Sequence, residues 1–98
     1  MTIRIEKQAS ALLLAPEGRV DTLTAPELEK TIKENLDGVT SLVFDLTNLE
    51  YLSSAGLRVF LSAQKAMNGQ GKMTVCHVNE TVMEIFDVTG FTDILTIE

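Results

Sequence analysis

The sequence predicts a single α/β domain with a mixed, mostly parallel sheet and the element order β-β-α-β-α-β-α-β. Short apolar runs alternate with segments in which apolar residues recur at helical spacing, which is typical of parallel strands joined by right-handed crossovers. The first two apolar runs have no helix between them, which predicts an antiparallel N-terminal edge strand. The chain has 98 residues, the size of one domain, so we assign residues 1–98 to it.

The composition narrows the classes of function. Hydrophobic residues make up 45% and charged residues 22% of the chain, which indicates a globular protein. The net charge of −6 argues against nucleic acid or an anionic membrane as the main partner. Cys76 is the only cysteine, so no internal disulfide can form, and the N-terminus has no apolar signal segment. We therefore expect a cytoplasmic protein that does not insert into a membrane.

The first two strands are predicted to form a hairpin. Ile3 and Ile5 alternate with polar residues, as in a half-exposed edge strand. A short connection over residues 7–10 leads to a second strand over residues 11–15. The turn-forming residues Pro16–Gly18 predict that this strand ends there.

The first helix is predicted from its start signal and its periodicity. Thr24 and Glu27 fit the capping box, in which a threonine N-cap and a glutamate three residues later bond each other's backbone N–H groups. The pair Asp37-Gly38 predicts the end of the helix. The apolar residues of its core face recur at a spacing of four: Leu28, Ile32 and Leu36.

The central part of the chain is predicted as strand, loop and helix. The third strand covers residues 42–46, and its apolar run predicts that it is covered on both faces. Asp45 interrupts this run, so we expect a paired or edge-exposed carboxylate near the strand end. Residues 47–52 are predicted as a loop, and the second helix then ends at residues 68–71. Its core face carries Leu57, Phe60, Leu61 and Gln64.

The C-terminal part is predicted as strand, helix and strand. The fourth strand covers residues 73–78. Asn79 can cap a third helix with Glu80 in its first turn, and Gly90 is placed as its C-cap. Residues 94–97 are predicted as the last strand. The core residues of the third helix are Val82, Ile85 and Phe86.

Two adjacent serines, Ser53 and Ser54, precede the second helix. Serine is a common N-cap, and this alone accounts for one of them. The hydroxyls also lie beside the unpaired N–H groups of the helix start, where a phosphate is favoured. Asp21 follows the second strand, and we expect it at the same sheet edge, because the carboxyl ends of parallel strands lie together. A helix cap and a phosphate acceptor are therefore both open interpretations.

The residues give little support for catalysis or metal binding. The pattern Gly-x-Ser-x-Gly is absent, and His77, the only histidine, has no evident carboxylate to orient it. We expect His77 at the surface near a strand end and Cys76 as a small core residue. One cysteine and one histidine do not by themselves make a metal site. We predict no enzymatic activity, no cofactor and no metal.

Three motifs resemble the STAS domain family: residues 18–21 (Gly-Arg-Val-Asp), residues 42–46 (Leu-Val-Phe-Asp-Leu) and residues 51–59 (Tyr-Leu-Ser-Ser-Ala-Gly-Leu-Arg-Val). The resemblance covers essentially the whole chain and implies a single STAS-like domain. Within the family, the chain looks like a stand-alone bacterial anti-sigma factor antagonist. Such a protein binds an anti-sigma factor that is also a serine kinase, and so releases a sigma factor. Phosphorylation of a serine at the start of the second helix ends the binding, and a phosphatase resets it.

By motif position the resemblance implies Ser54 as the phosphorylated residue. Ser53 is a rival acceptor, since it stands where many members carry Asp, and Ala55 stands where Ser is often found. The chain is then a substrate and switch rather than an enzyme. The alternative within the family is an accessory subunit of a lipid ABC transporter, an unphosphorylated adaptor. The implied partner-binding residues are Asp21, Thr22, Ser53, Ser54, Ala55, Gly56 and Arg58.

Overall fold

A computed structural model describes residues 1–98 as an α/β domain built on a five-stranded sheet. A short 3-10 helix, Phe91–Asp93, follows the last α-helix. None of the helices is both long enough and apolar enough to cross a membrane. The elements in chain order are β1 (Thr2–Gln8), β2 (Ala11–Val20), α1 (Ala25–Asn35), β3 (Ser41–Asp45), β4 (Leu49–Leu52), α2 (Ser54–Asn68), β5 (Lys72–Cys76) and α3 (Glu80–Val88).

The sheet has the order β1-β2-β3-β5, and β4 pairs separately with β2. β1 runs antiparallel to β2, whereas β3 and β4 run parallel to β2 and β5 runs parallel to β3. The predicted mixed, mostly parallel sheet with an antiparallel N-terminal edge strand is therefore confirmed.

β2 is longer than predicted, because Pro16–Gly18 continue the strand instead of forming a turn. Pairing with β3 ends at Leu14 and pairing with β4 starts at Gly18. Pro16, which has no N–H to donate, lies in the gap between these two ladders, where the missing donor is tolerated. The hairpin connection is only Ala9-Ser10, with Ala9 in the left-handed region at φ 55°.

Two other strand predictions were wrong. Residues 47–52 are not all loop, because Leu49–Leu52 form β4 and pair with the end of β2. A four-residue strand whose partner lies about thirty residues earlier in the chain has no clear local signal. The predicted strand over residues 94–97 is reduced to one isolated bridge, between Ile97 and Val75. The observed order is therefore β-β-α-β-β-α-β-α.

The remaining elements match the sequence predictions closely. β3, β5 and α1 differ from their predicted bounds by one or two residues. Asn79 caps α3 as predicted, since its side chain accepts a 2.8 Å hydrogen bond from the Val82 N–H. Gly90 follows the C-cap Thr89 in the left-handed conformation, at φ 80°. On α2, Leu57, Phe60 and Gln64 are buried and Leu61 is half-buried.

The core lies on one face of the sheet. Burial alternates along β3 and β5, so each strand buries one side and leaves the other partly exposed. β3 is therefore buried on one face only, and the prediction that both of its faces are covered was wrong. The buried side joins the helices in one cluster of 22 residues. The strand residues on the buried side are Leu12, Leu14, Leu42, Phe44, Met73 and Val75. The partly exposed ones include Leu13, Val43, Asp45, Thr74 and Cys76.

The loop from β2 to α1 is folded around the Asp21 carboxylate. Its Oδ1 accepts hydrogen bonds from the backbone N–H groups of Leu23 (3.0 Å) and Thr24 (3.1 Å). The Thr24 hydroxyl donates to the Arg19 carbonyl and accepts from the Asp21 N–H, so it does not cap α1. The predicted capping box with Glu27 is therefore wrong, because Asp21 and Arg19 bind the threonine hydroxyl instead.

Gly56 allows α2 to lie close to the ends of β2 and β4. A Cβ atom at this position would lie 2.5 Å from Cδ1 of Leu52 and 3.0 Å from the Val20 carbonyl oxygen. Gly56 is buried, so its small size serves the packing of the helix start rather than the approach of another molecule.

We expect Gly56→Ala to destabilise the domain by about 1–3 kcal/mol, because the added methyl overpacks the junction with Leu52 and Val20. Gly69→Ala is the matched control, since its Cβ would meet only the Ala66 carbonyl oxygen, at 3.6 Å. Urea unfolding of both variants measures the difference. Equal midpoints for Gly56→Ala and the unmodified protein would contradict this packing argument.

We also expect the contribution of Asp21 to stability to depend on pH. The Thr24 N–H, which donates to the carboxylate, holds the pKa of Asp21 below its ordinary value, with smaller effects from Leu23 and Arg19. A lowered folded-state pKa means that the stabilisation is complete above the unfolded-state pKa of about 3.9 and is lost as pH falls through the folded-state value. The difference in unfolding midpoint between the unmodified protein and Asp21→Ala should therefore shrink in acid.

The control for this pH series is Asp37→Ala, since Asp37 is an exposed aspartate outside the Asp21 loop. Its effect on the urea midpoint should stay small at every pH. A midpoint difference for Asp21→Ala that is the same at pH 7 and pH 2.5 would contradict the role of the ionised carboxylate.

Candidate functional site

The candidate site lies where β2 and β4 end side by side. Val20 pairs with Leu52, and the Ser53 N–H donates a 2.9 Å hydrogen bond to the Val20 carbonyl. Asp21 directly follows β2, and α2 is the next element after β4. The structure therefore brings the Asp21 loop and the start of α2 to one edge of the sheet.

Ser53 is the N-cap of α2, but its hydroxyl points into the protein. Its backbone is extended, at φ −90° and ψ 178°, and its side chain makes no capping hydrogen bond. The Oγ atom is buried and has no hydrogen-bond partner. A phosphate could reach this oxygen only if the start of the helix moved.

Ser54 differs from Ser53 because it is exposed as the first residue of α2. The first helical hydrogen bond runs from the Leu57 N–H to the Ser53 carbonyl, so the N–H groups of residues 54–56 have no intrahelical acceptor. The first turn carries no acidic side chain. These unpaired donors and the helix dipole favour an anion at Ser54.

A groove of about 380 Å³ lies between α1 and α2, and Ala55, the residue after Ser54, lines it. It brings together three of the predicted partner-binding residues: Thr22, Ala55 and Arg58. Arg58 is exposed and lies four residues after Ser54, on the same face of the helix. The other lining residues are Ala25, Pro26, Glu29, Val59 and Ser62.

The sequence reasoning missed Leu23 as a surface feature of this edge. Its side chain is 89% exposed, although it is large and apolar. The hydrogen bond from the Leu23 N–H to Asp21 fixes the loop that presents it. The available signal was a lone leucine in the polar segment Asp21–Thr24. An exposed leucine next to the groove gives a partner an apolar contact.

Apart from the candidate site at β2 and β4, a cluster of polar side chains surrounds Asp45 at the ends of β3 and β5. Asp45 Oδ1 accepts hydrogen bonds from the Thr47 hydroxyl (2.6 Å) and the Thr47 N–H (3.0 Å), and Oδ2 lies 3.4 Å from the Arg4 guanidinium. His77 Nδ1 lies 3.1 Å from Oδ1. The Thr47 hydroxyl, with help from its N–H and His77, holds the pKa of Asp45 below its ordinary value.

This cluster confirms two predictions and corrects two. Asp45 is a paired carboxylate near a strand end, and His77 is exposed directly after a strand, as expected. His77 does have a carboxylate partner, because the pairing of β3 with β5 brings Asp45 beside it. Cys76 is half-buried on the face of the sheet opposite the core, and it is not part of the core. Burial, and then the charges of Asp45 and Glu98, raise the pKa of the Cys76 thiol, which is the opposite of what a thiolate nucleophile needs.

Comparison with known proteins gives relatives that are described as anti-sigma factor antagonists. The chain is 33% identical over 99 residues to BtrV of Bordetella bronchiseptica, which is assigned as an anti-sigma factor antagonist; the match covers 99% of this chain and 85% of that protein. It is 32% identical over 80 residues to the anti-sigma-B factor antagonist of Staphylococcus epidermidis, covering 80% of this chain and 74% of the relative.

A solved structure has the same fold over nearly the whole chain. The anti-sigma factor antagonist from Mycobacterium paratuberculosis superposes with a TM-score of 0.88 at 24% identity, covering 98% of this chain and 83% of that one. At this identity the match concerns the fold alone. The family model described as the STAS domain matches residues 2–98. This chain therefore belongs to the STAS domain family.

Proposed function

We propose that this protein is an anti-sigma factor antagonist. It binds an anti-sigma factor that is also a serine kinase, and phosphorylation of Ser54 ends the binding until a phosphatase removes the phosphate. The names of the relatives support the antagonist role. The observation that carries the switch is the contrast between an exposed Ser54 and a Ser53 whose oxygen is buried.

The chain supplies the acceptor, and the kinase supplies the nucleotide and the catalysis. In the transfer step the Ser54 hydroxyl oxygen forms a bond to the γ-phosphorus of ATP as the bond to the β,γ-bridging oxygen breaks. ADP leaves, and the hydroxyl proton passes to a base of the kinase. The acceptor oxygen must therefore reach into the active site of a partner. Ser54 meets that requirement, because it is exposed at a sheet edge beside a groove.

The partner-binding surface that we propose consists of Asp21, Thr22, Leu23, Ser54, Ala55 and Arg58. Leu23 provides an apolar contact, and Asp21 and Arg58 provide one charge of each sign. Ser53 and Gly56, which the resemblance also placed at the interface, act from the interior. Gly56 sets the position of the helix, and the Ser53 N–H joins it to β2.

Phosphate on Ser54 changes this surface in two ways. It adds about −1.5 to −2 charges and three acceptor oxygens where the interface was built around a neutral hydroxyl. It also lies one helical turn from Arg58, whose guanidinium can then pair with the phosphate instead of with the partner. A hundredfold loss of affinity requires only about 2.7 kcal/mol, which one desolvated charge can account for.

We expect Ser54→Asp to weaken binding to the anti-sigma kinase of the same organism by about tenfold or more, because it places a permanent charge at the interface. Ser54→Ala should keep the affinity of the unmodified protein. Ser41→Asp is the matched control, since Ser41 is exposed at the opposite, amino end of β3. Isothermal titration calorimetry with the purified kinase measures all three, and equal affinities for Ser54→Asp and Ser54→Ala would sink the proposal.

The acceptor assignment has a separate test. In a radiolabelled ATP assay with the same kinase, Ser53→Ala should still incorporate phosphate, whereas Ser54→Ala should lose it, because only the Ser54 oxygen is accessible. The reverse result would keep the switch and move the acceptor to Ser53. Undiminished incorporation of phosphate in both single variants would contradict the assignment of Ser54 as the acceptor.

A further inference from the structure

Asp45 and Cys76 lie side by side on the helix-free face of the sheet. They are directly paired across β3 and β5, so their side chains point to the same face. β3 pairs with β2 on its other side, and the last pair of that ladder is Leu14 with Phe44. The same register, continued by one residue, places Ala15 of β2 beside Asp45. Arg4 pairs with Ala15, and this small residue lets the Arg4 side chain reach Asp45.

We propose that Asp45, Cys76 and His77 form a binding site for a divalent transition-metal cation of the zinc class. Each residue offers one ligand atom, and these atoms all lie within 4.8 Å of one another. A thiolate, an imidazole nitrogen and a carboxylate oxygen are the three ligand types that zinc takes in proteins. Three protein ligands leave the fourth tetrahedral position for water or for a group of another molecule.

The spacing is close to what such an ion requires. Zinc bonds of about 2.0–2.3 Å place neighbouring tetrahedral ligands about 3.3–3.7 Å apart. The separation between His77 Nδ1 and Asp45 Oδ1 is 3.1 Å, just below this range, and the three ligand atoms lie within 4.8 Å of one another, so the widest separation is at most about 1 Å above it. An ion between these atoms and the Cys76 sulfur therefore requires side-chain shifts of about 1 Å and no change in the pairing of the strands.

The surroundings already orient the ligands. Thr47 donates two hydrogen bonds to Asp45 Oδ1, and Arg4 holds Oδ2, so the carboxylate is fixed before an ion arrives. Such outer contacts set ligand orientation in metal sites. His77 has a left-handed backbone, at φ 58°, which turns the chain sharply after β5 and leaves the imidazole beside Asp45. An ion that binds Cys76 displaces the thiol proton, so the thiolate and the carboxylate then oppose the one positive charge of Arg4.

This site is separate from the proposed switch. Asp45 and Cys76 are the last residues of β3 and β5, and His77 follows β5. The switch lies at the ends of β2 and β4, and the two sites share no residue. Loss of metal binding would therefore leave the Ser54 proposal untouched, and failure of the Ser54 experiments would not affect the metal site.

The test is a titration of the full-length protein, without a histidine tag, with Co²⁺ as a spectroscopic substitute for Zn²⁺. A thiolate-to-cobalt charge-transfer band can come only from Cys76, since the chain has no other cysteine. We expect one ion per chain, a band that shows thiolate ligation, and displacement of Co²⁺ by Zn²⁺. Sedimentation velocity on the loaded sample should show no metal-linked dimer.

Variants of His77 and Asp45 distinguish a three-ligand metal site from binding by the Cys76 thiol alone. His77→Gly keeps the left-handed backbone and removes the imidazole, and Asp45→Asn removes the charged oxygen. Each should weaken Co²⁺ binding at least tenfold, since even outer-contact substitutions typically cost 10–100-fold. Asp37→Asn, a change of the same kind at an exposed position away from the site, should bind as the unmodified protein does.

Three results would overturn the proposal: no thiolate band, a band of equal affinity in His77→Gly and Asp45→Asn, or one ion shared by two chains. Thermal unfolding of each metal-free variant checks that it is folded. If Asp45→Asn is not folded, His77→Gly alone decides, because an exposed imidazole is dispensable for packing.

Discussion

The short parallel pairing between the end of β2 and β4 is the constraint on which the candidate site depends. Val20 pairs with Leu52, and the Ser53 N–H bonds to the Val20 carbonyl, so the chain enters α2 directly beside the Asp21 loop. Gly56 completes the junction, because only a residue without a side chain lets the first turn of α2 lie against Val20 and Leu52. Two segments about thirty residues apart in the chain, the end of β2 with the Asp21 loop and β4 with the start of α2, thereby form one surface.

The same junction gives the two adjacent serines different environments. The extended backbone of Ser53 turns its hydroxyl inward, while Ser54 begins the helix on the exposed side. Ser53 therefore serves the structure through its backbone, and Ser54 is left free for chemistry. The unpaired N–H groups of the helix start and Arg58 one turn later provide a positive environment for a phosphate there. A small domain can in this way present a modifiable residue without a deep pocket.

Periodicity predicted the parts of the fold whose signals are local. The three helices and the strands β3 and β5 follow from apolar spacing and from caps such as Asn79. β4 could not be found in this way, because its four residues become a strand only through pairing with β2. Pro16 suggested a turn for the same reason: its tolerance depends on a gap between two ladders that the sequence does not show.

The candidate site was predictable in part. The serine pair and Asp21 were recognisable from their positions after strands, but the choice between Ser53 and Ser54 depends on a backbone torsion and on burial. The partnership of Asp45 with His77 depends on the register of β3 against β5. The sequence did not identify Leu23 as an exposed apolar contact, because its exposure depends on the loop that the hydrogen bonds of Asp21 hold. Sequence reasoning therefore missed features set by pairing between distant segments and features set by the local backbone geometry at Ser53 and around Asp21.

The most direct test of the central claim is to locate the phosphate. The purified protein is incubated with ATP and the anti-sigma kinase of the same organism, and the peptide that contains Ser53 and Ser54 is fragmented by mass spectrometry. Our account predicts phosphate on Ser54, the exposed first residue of α2. Phosphate on Ser53, or none on this peptide while the kinase is active on another substrate, would contradict it.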